Sequence, residues 1–596
     1  MSNRKTYIVA GILIFAAFIL AILSIRNDTF TYDETAHVAA GYSYLTQRDY
    51  RMNPEHPPLI KDIAAIPLLF LHLNFPKNNP EWQTASPAEW WDQFNFASQF
   101  LYYSGNNPDQ ILFWSRIPMI LVFLLLGFFI FFWAKELFGN TAALISLFLF
   151  SFSPIFLANG RLVTTDVGAA FGTVFATYFW LKFLKNPSKK SIIFAGLAFG
   201  IAMLLKFSLI LLLPFFALIT LVFAGLKQDT EKKYKTLFKY VGFSFLALLI
   251  GVVFIIWPVY EFHVSNYPQT RQIQDTQALL ATTLVPKSVI NLNLLMDKNQ
   301  ITRPLGQYFL GLLTATNRTS TGNTTYFMGQ ISADSWKSYF PIVYFIKNPL
   351  AFHILTFIAI IFLIWFLIRK NLKEQIKSHF TVFSMFVFLA IYWATSLVSN
   401  LNIGVRHLLP IFPFTILLVS GGISYLLKEP YLKLNPVRNL KFLNGVKYAI
   451  LGILVLWQAV SLILVFPHFI AYFNEAIGGP NLGYMYVVDS NLDWGQDLKR
   501  LAKYIDENKI DKIYLDYFGG GNANYYLKEK YAPWWGQRSP DELPKGSYLA
   551  VSATLLQGGR ATPAKGFDQP SDYYRWLDKY TPVAKIGYSI FVYKIE

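Results

Sequence analysis

Apolar stretches of about twenty residues recur along nearly the whole chain, and that is the length an α-helix needs to cross a bilayer. We count eleven, at 7–25, 111–133, 140–158, 166–184, 191–205, 207–225, 240–260, 350–368, 379–399, 407–427 and 448–467. The expected fold class is mainly α, a polytopic α-helical membrane protein. Charged residues make up 15% of the chain, against about 25% in soluble domains. The 55 phenylalanines and 35 tyrosines suit lipid-facing helices and interfacial belts. Arg4 and Lys5 precede the first run, but no small-residue cleavage site follows it, so it reads as a retained span.

Alternate loops between the runs are basic. One holds Lys182, Lys185, Lys189 and Lys190, and the next Lys227, Lys232, Lys233, Lys235 and Lys239. Arg369, Lys370, Lys373 and Lys377 follow, then Lys428, Lys433, Arg438, Lys441 and Lys447. The positive-inside rule makes these cytoplasmic, with the N-terminus inside and the C-terminus outside the cell (plasma) membrane. The first outer segment, 26–110, agrees, with ten acidic and five basic residues. The net charge of +17 sits in these short loops, which argues against nucleic acid as a partner. The stretch 191–225 is interrupted only by Lys206, and two short spans with Lys206 at an outer turn fit the flanking charges. The absence of cysteine excludes disulfides, thiolate catalysis and cysteine-based metal sites.

The expected division is a membrane domain over 1–467, with outer loops at 26–110 and 261–349, and an extracytoplasmic domain over 468–596. The first loop is rich in Trp and Pro and is expected to form short helices on the membrane surface, with Trp82, Trp90 and Trp91 as anchors. In the tail, 497–508 has the pattern of an amphipathic helix, and 512–518, 547–551 and 585–595 read as strands. A small α/β or α+β domain is the expected result. Gly519-Gly520-Gly521 follows a strand but lacks the Lys-Ser/Thr of a phosphate loop, so it reads as a turn. Asn27-Asp28-Thr29, Asn317-Arg318-Thr319 and Asn323-Thr324-Thr325 match glycosylation acceptors.

The residues able to carry chemistry cluster at the outer ends of the runs. Asp33-Glu34 follows the first span by one short turn; the pair is either ordinary loop charge or a site. A carboxylate in a partly dry site acts as a general base toward a hydroxyl, and an adjacent acid raises its proton affinity. In Asn53-Pro54-Glu55-His56-Pro57-Pro58-Leu59, Glu55 and His56 are of the types that bind a divalent metal or hold the Asp33 region in place; the other reading is an acidic helix start. Arg161 and Asp166 share a short outer loop, where they either pair with each other or meet a substrate. Arg406 and His407 stand at another outer helix start, suited to a phosphate if Arg406 does not simply snorkel. Lys206 and Lys347 are cations of the same kind. The tail segment Asp489-Ser490-Asn491-Leu492-Asp493-Trp494-Gly495-Gln496-Asp497 is dense in polar groups, and Asp497 or Asp493 is expected to cap the following helix.

Asp33-Glu34 after the first span, Glu55-His56-Pro57-Pro58-Leu59, Arg161 with Asp166, and Gly404-Val405-Arg406-His407-Leu408-Leu409-Pro410 together resemble the C-type (GT-C) glycosyltransferase superfamily. The resemblance covers roughly residues 1–470 and is nearest the branch of protein O-mannosyltransferases and lipid A aminoarabinose transferases. It implies an inverting transfer of a sugar from a polyprenyl-phosphate carrier to an acceptor hydroxyl on the outer side of the membrane. It implies Asp33 as catalytic acid residue, with Asp166 a second outer-loop carboxylate and Glu34 in support. Donor phosphate would lie near Arg406 and His407, with Arg161, Lys206 and Lys347 as further cations. In the aminoarabinose branch a Glu-Lys precedes the Pro-Pro, and the Glu can bind zinc; here Glu55 matches but His56 replaces the lysine. Mannosyltransferases of the protein-modifying branch often carry a trefoil domain in an outer loop; none is legible here, which weighs against protein among the lipid, glycan and protein acceptors that the resemblance allows. Two other classes stay open as well: a transporter or flippase, which needs charges along a crossing path, and a non-catalytic membrane assembly protein.

Overall fold

The computed structural model describes residues 2–227, 233–368, 371–428 and 440–596. Lys232, Arg369, Lys370, Lys433 and Arg438 of the basic loops lie outside the described residues. All eleven apolar runs fall on helices. Among the described residues, eight helices are long and apolar enough to cross a bilayer, or nine if the bent pair Tyr339–Lys347 and Leu350–Ile364 is one span.

The three shortfalls have local causes. The run 140–158 splits into Asn140–Ser151 and Pro154–Asn159, because Pro154 has no N–H to continue the helix. The helix Lys189–Leu205 ends at Lys206, whose backbone is extended, so the charge breaks 191–225 in two as expected. The helix before 350–368 turns through 112° at Asn348-Pro349. The predicted 111–133 is instead a longer helix, Pro108–Phe138, whose 31 residues extend about 46 Å. Asn107 caps its start with side-chain bonds to the N–H groups of Asp109 and Gln110, and Gly139 in a positive-φ conformation ends it.

The spans divide by burial. Asn3–Ser24, Tyr234–Val264 and Gly445–Val465 expose large apolar side chains such as Phe15, Phe245 and Leu464. Thr165–Lys185 and Val405–Lys428 are buried inside the bundle. The two interior helices are the ones that begin with Asp166 and Arg406.

Residues 26–110, the expected first outer segment, form the helix Tyr32–Gln47 followed by short helices at Leu59–Ala65, Ile66–Phe70, Pro80–Gln83 and Asp92–Ser98. Trp90 and Trp91 are exposed, as expected of anchors, but Trp82 is buried against Phe75 and Phe96 with Arg51 stacked on its ring. The second outer segment holds helices Gln269–Ala281, Lys287–Asp297 and Arg303–Thr321 and a hairpin of β1 (Thr325–Phe327) and β2 (Gln330–Ser332).

The tail forms the helix Leu498–Glu507 and strands β3 (Ile513–Asp516), β4 (Tyr531–Pro533), β5 (Tyr548–Ser552), β6 (Thr562–Pro563), β7 (Ala584–Ile586) and β8 (Ile590–Lys594). The expected strand 585–595 is a hairpin, turned at Gly587 and Tyr588, which both take positive φ. A mixed sheet runs β4-β3-β5-β8-β7, and β6 adds in parallel to β2 to make a second sheet with the outer-loop hairpin. The tail also closes directly onto the start of Tyr32–Gln47. A Cβ at Gly520 would lie 2.4 Å from the Thr31 carbonyl oxygen, so the glycine turn serves close backbone approach. At the same junction Tyr32 stacks on Phe518 and meets Phe94 at a tilt.

Candidate active site

Thr31 caps Tyr32–Gln47 in a reciprocal box with Glu34, and this local geometry sends the two neighbouring acids in different directions. Glu34 turns back into the protein. It accepts bonds from the Thr31 N–H and hydroxyl, from the Val163 N–H, and from Arg116 at 2.6 and 2.8 Å. It is wholly buried and does not line the cavity, in contrast to the catalytic support expected of it. Asp33 faces a cavity, and its side chain is 25% exposed.

That cavity has a volume of about 560 Å³. Lys206, Arg318 and Arg406 line it together with Asp33, Glu55, His56 and His407. Phe207, Ile210, Leu211, Leu312 and Val398 supply an apolar wall. Arg406 sits at the centre of the polar part. Its Nη1 lies 2.8 Å from Asp33 Oδ2 and 3.5 Å from Asp166 Oδ2, and its Nε donates to Ser490 Oγ at 3.2 Å. The guanidinium lies over the Trp494 ring, 4.2 Å from the centroid. Asp166 also takes the Lys206 ammonium at 2.5 Å, so it ties two cations together behind the cavity. Asp166 itself does not line the cavity, and it pairs with Lys206 and Arg406, not with Arg161. His407 Nε2 is buried with no hydrogen-bond partner.

Two expected cations lie elsewhere. Arg161 is buried and bonded to Asp28 and to the Ser24 carbonyl. Burial opposes the charge of Asp28, but Arg161, Arg500 and Arg116 outweigh it and hold its carboxyl well below the usual range. Lys347 is also buried, donating to the carbonyls of Ile470 and Asn491 at 2.8 and 2.6 Å. Both are structural ties and neither lines the cavity.

Glu55 pairs with Arg318 at 2.6 Å, and Arg318 stacks on Trp90. His56 packs edge-on against His37, and burial, with His37 and Lys61 next, pushes its imidazole well below its ordinary value, so the ring is neutral. Its loop is held from behind by Lys61, whose ammonium donates to the His56 and Asn53 carbonyls at 2.9 and 2.8 Å. Among the described residues no group of three or more His, Asp or Glu side chains is placed to hold a metal ion.

Arg318, Arg116, Ser490 and Trp494 were not expected at or beside the site. Arg116 had a signal, since an arginine inside an apolar run is costly unless paired. Arg318 had none, being read only as the middle of a glycosylation acceptor. Its neighbour Asn317 instead accepts the Leu284 N–H at 3.0 Å. The tail does not cap with Asp497 as expected. Asp497 stands at the start of Leu498–Glu507 but makes no side-chain cap bond, and it accepts from Gln496, Arg500 and Ser589.

Residues 105–257 match a family model described as dolichyl-phosphate-mannose-protein mannosyltransferase. The match includes Arg116, Arg161, Asp166 and Lys206 but neither Asp33 nor Arg406. No curated protein matches the chain. Among solved structures, the Saccharomyces cerevisiae protein O-mannosyltransferase Pmt1–Pmt2 complex bound to the sugar donor is similar in fold, with a TM-score of 0.50 and 11% identity over 77% of this chain and 90% of that one. ArnT from Cupriavidus metallidurans bound to undecaprenyl phosphate aligns over 100% and 98% of the two chains, at 12% identity and a TM-score of 0.44. The Archaeoglobus fulgidus oligosaccharyltransferase aligns over 89% and 64%, at 11% identity and 0.49.

Proposed function

We propose that the chain is a GT-C-type glycosyltransferase that transfers a sugar from a polyprenyl-phosphate carrier to an acceptor hydroxyl, with inversion, at the cavity of Asp33 and Arg406, a reading supported by the family-model match over residues 105–257. One observation carries the reading. The Asp33 carboxylate, 25% exposed, stands 2.8 Å from the buried Arg406 in a cavity also lined by Lys206, Arg318 and apolar side chains. A lipid-linked sugar phosphate has the matching parts: an anionic phosphate, a polar sugar and an apolar tail.

The chemistry is a single displacement. The acceptor oxygen attacks the anomeric carbon as its proton passes to Asp33, and the bond from that carbon to the phosphate oxygen breaks. The polyprenyl phosphate leaves with added negative charge. Arg406, Lys206 and Arg318 are placed to stabilise that charge, and a preorganised cation in a water-poor site is worth more than one in water. Arg406 holds Asp33, and donor phosphate at Arg406 would compete for that guanidinium and free the carboxylate for the acceptor. Asp166 supports this by fixing Arg406 and Lys206 together. His407 Nε2, buried without a partner, is a donor or acceptor for the phosphate or sugar.

In this reading residues 1–467 form the catalytic membrane unit in the plasma membrane and 468–596 lie outside, with the N-terminus inside. A reporter active only outside the cytoplasm, fused after Glu596, tests the topology; activity of an inside-only reporter there would reverse it. The function is tested with purified full-length protein, labelled undecaprenyl-phosphate sugars, and lipid, glycan or peptide acceptors. Transfer by the wild type and none by Asp33→Asn supports the reading. No consumption of any lipid-phosphate sugar overturns it.

A further inference from the structure

We propose that Ser490 and Trp494 of the tail are positioning residues that fix the Arg406 guanidinium for the donor phosphate, so that the tail completes the site. This rests on the reading of Arg406 as the phosphate ligand.

The segment around them leaves Arg406 few ways to move. Ser490 Oγ accepts from Arg406 Nε at 3.2 Å and is itself oriented by donating to the Ile403 carbonyl at 2.7 Å. The Val405 N–H donates to Asn491 Oδ1 at 2.9 Å, which fixes the backbone one residue before the arginine. Trp494 lies under the flat face of the guanidinium and is 1% exposed. Gly404 admits this arrangement, since a Cβ there would lie 2.3 Å from Ser490 Oγ. With Nε bonded and one face covered, the Nη groups are directed toward Asp33 and the cavity.

The same segment also seats the helix that carries Asp33. The Tyr32 N–H donates to the Trp494 carbonyl at 3.0 Å, and the Thr29 N–H and hydroxyl donate to the Gln496 and Gly495 carbonyls at 2.9 and 2.6 Å. The segment is braced in turn by Asp493, which accepts the Thr554 N–H at 2.8 Å. One short stretch thus sets the relative position of base and cation. A free arginine loses side-chain freedom when it binds phosphate; one already held loses less.

The test is binding of undecaprenyl phosphate to the full chain in nanodiscs, for wild type, Trp494→Leu, Trp494→Phe, Arg406→Ala and the Arg406→Ala/Trp494→Leu double variant. Lys206 and Arg318 remain to bind phosphate in the Arg406→Ala backgrounds. Trp494→Leu should weaken binding roughly two- to thirtyfold, the range for a cation on an aromatic face. Trp494→Phe keeps a ring and should recover most of it. In the Arg406→Ala background Trp494→Leu should change nothing, which a merely structural role would not produce. Should Trp494→Leu fail to fold, Ser490→Ala carries the same cycle, with a severalfold loss only when Arg406 is present. Equal losses in both backgrounds overturn the inference and leave the function standing. Absence of undecaprenyl phosphate binding by the wild type overturns both.

Discussion

Asp33 and Glu34 are adjacent in the chain, yet Asp33 opens to the cavity and pairs with Arg406 at 2.8 Å, while Glu34 is sealed against Arg116 at 2.6 Å. Replacing each tests different things. Asp33→Asn keeps the shape and removes the basic oxygen. Turnover should fall by about 10² to 10⁴, the usual cost of losing a general base. The thermal midpoint in detergent should stay within a few degrees of wild type, since the side chain is partly solvated. Normal turnover in this variant would move the base elsewhere.

Glu34→Gln should act on folding. It removes one partner of a buried ion pair and leaves Arg116 with the Asp28 carboxylate and the Thr29 carbonyl, each at 3.2 Å. Breaking such a pair costs about 3–5 kcal/mol. The expected result is a large drop in thermal midpoint and in yield of monodisperse protein. A stable, well-expressed but inactive Glu34→Gln would return Glu34 to the chemistry.

Lys206 and Arg318 should divide from Lys347 in donor use. In the proposed site Lys206→Ala and Arg318→Ala would each remove a charged contact to phosphate worth about 1.5–3 kcal/mol. Each should raise the donor KM roughly ten- to a hundredfold. Lys347→Met replaces a buried tie away from the cavity, and its folded fraction should keep the wild-type donor KM. Donor kinetics that respond to Lys347 and not to Arg318 would place the phosphate outside this cavity.

The tail should make stability fall with rising pH. Burial raises the Asp493 carboxyl from 3.8 to about 8. The folded chain then holds a proton that the unfolded chain has lost between those values, so stability declines as pH rises through that window and levels above it. Asp489, raised to about 6 by burial, acts in the same direction over its lower part. Asp493→Asn cannot ionise and keeps an acceptor for Thr554. It should be about 1–3 kcal/mol more stable than wild type above pH 8, the scale of an unsatisfied buried polar group. Thermal midpoints of both proteins from pH 5 to 9 measure this, and parallel curves would refute it.

The membrane architecture was legible because a bilayer forces a long apolar run wherever the chain crosses it. Lys206 as a break, Asp33 at the site and the cations Arg406 and Lys206 were legible for the related reason that charge in an apolar setting needs a purpose. Glu34 was misread although Thr31-Tyr32-Asp33-Glu34 spells a capping box, a local pattern that predicts the side chain turning back to its own backbone. Arg161 and Lys347 were misplaced because their partners, Asp28 and the carbonyls of Ile470 and Asn491, are far off in sequence. Arg318 reaches the site from the last turn of the helix Arg303–Thr321 and Trp494 from an irregular segment of the tail, and only tertiary packing brings them there.

The bond from the Thr29 hydroxyl to the Gly495 carbonyl joins residues 466 positions apart. A ribosome makes the first of these long before the second. The helix that carries Asp33 is therefore made before its docking surface, and it waits through the synthesis of every later span. Chains that stop short of Gly495 lack this seat for Asp33 and Arg406, so the candidate site comes together only once this segment of the tail has been made.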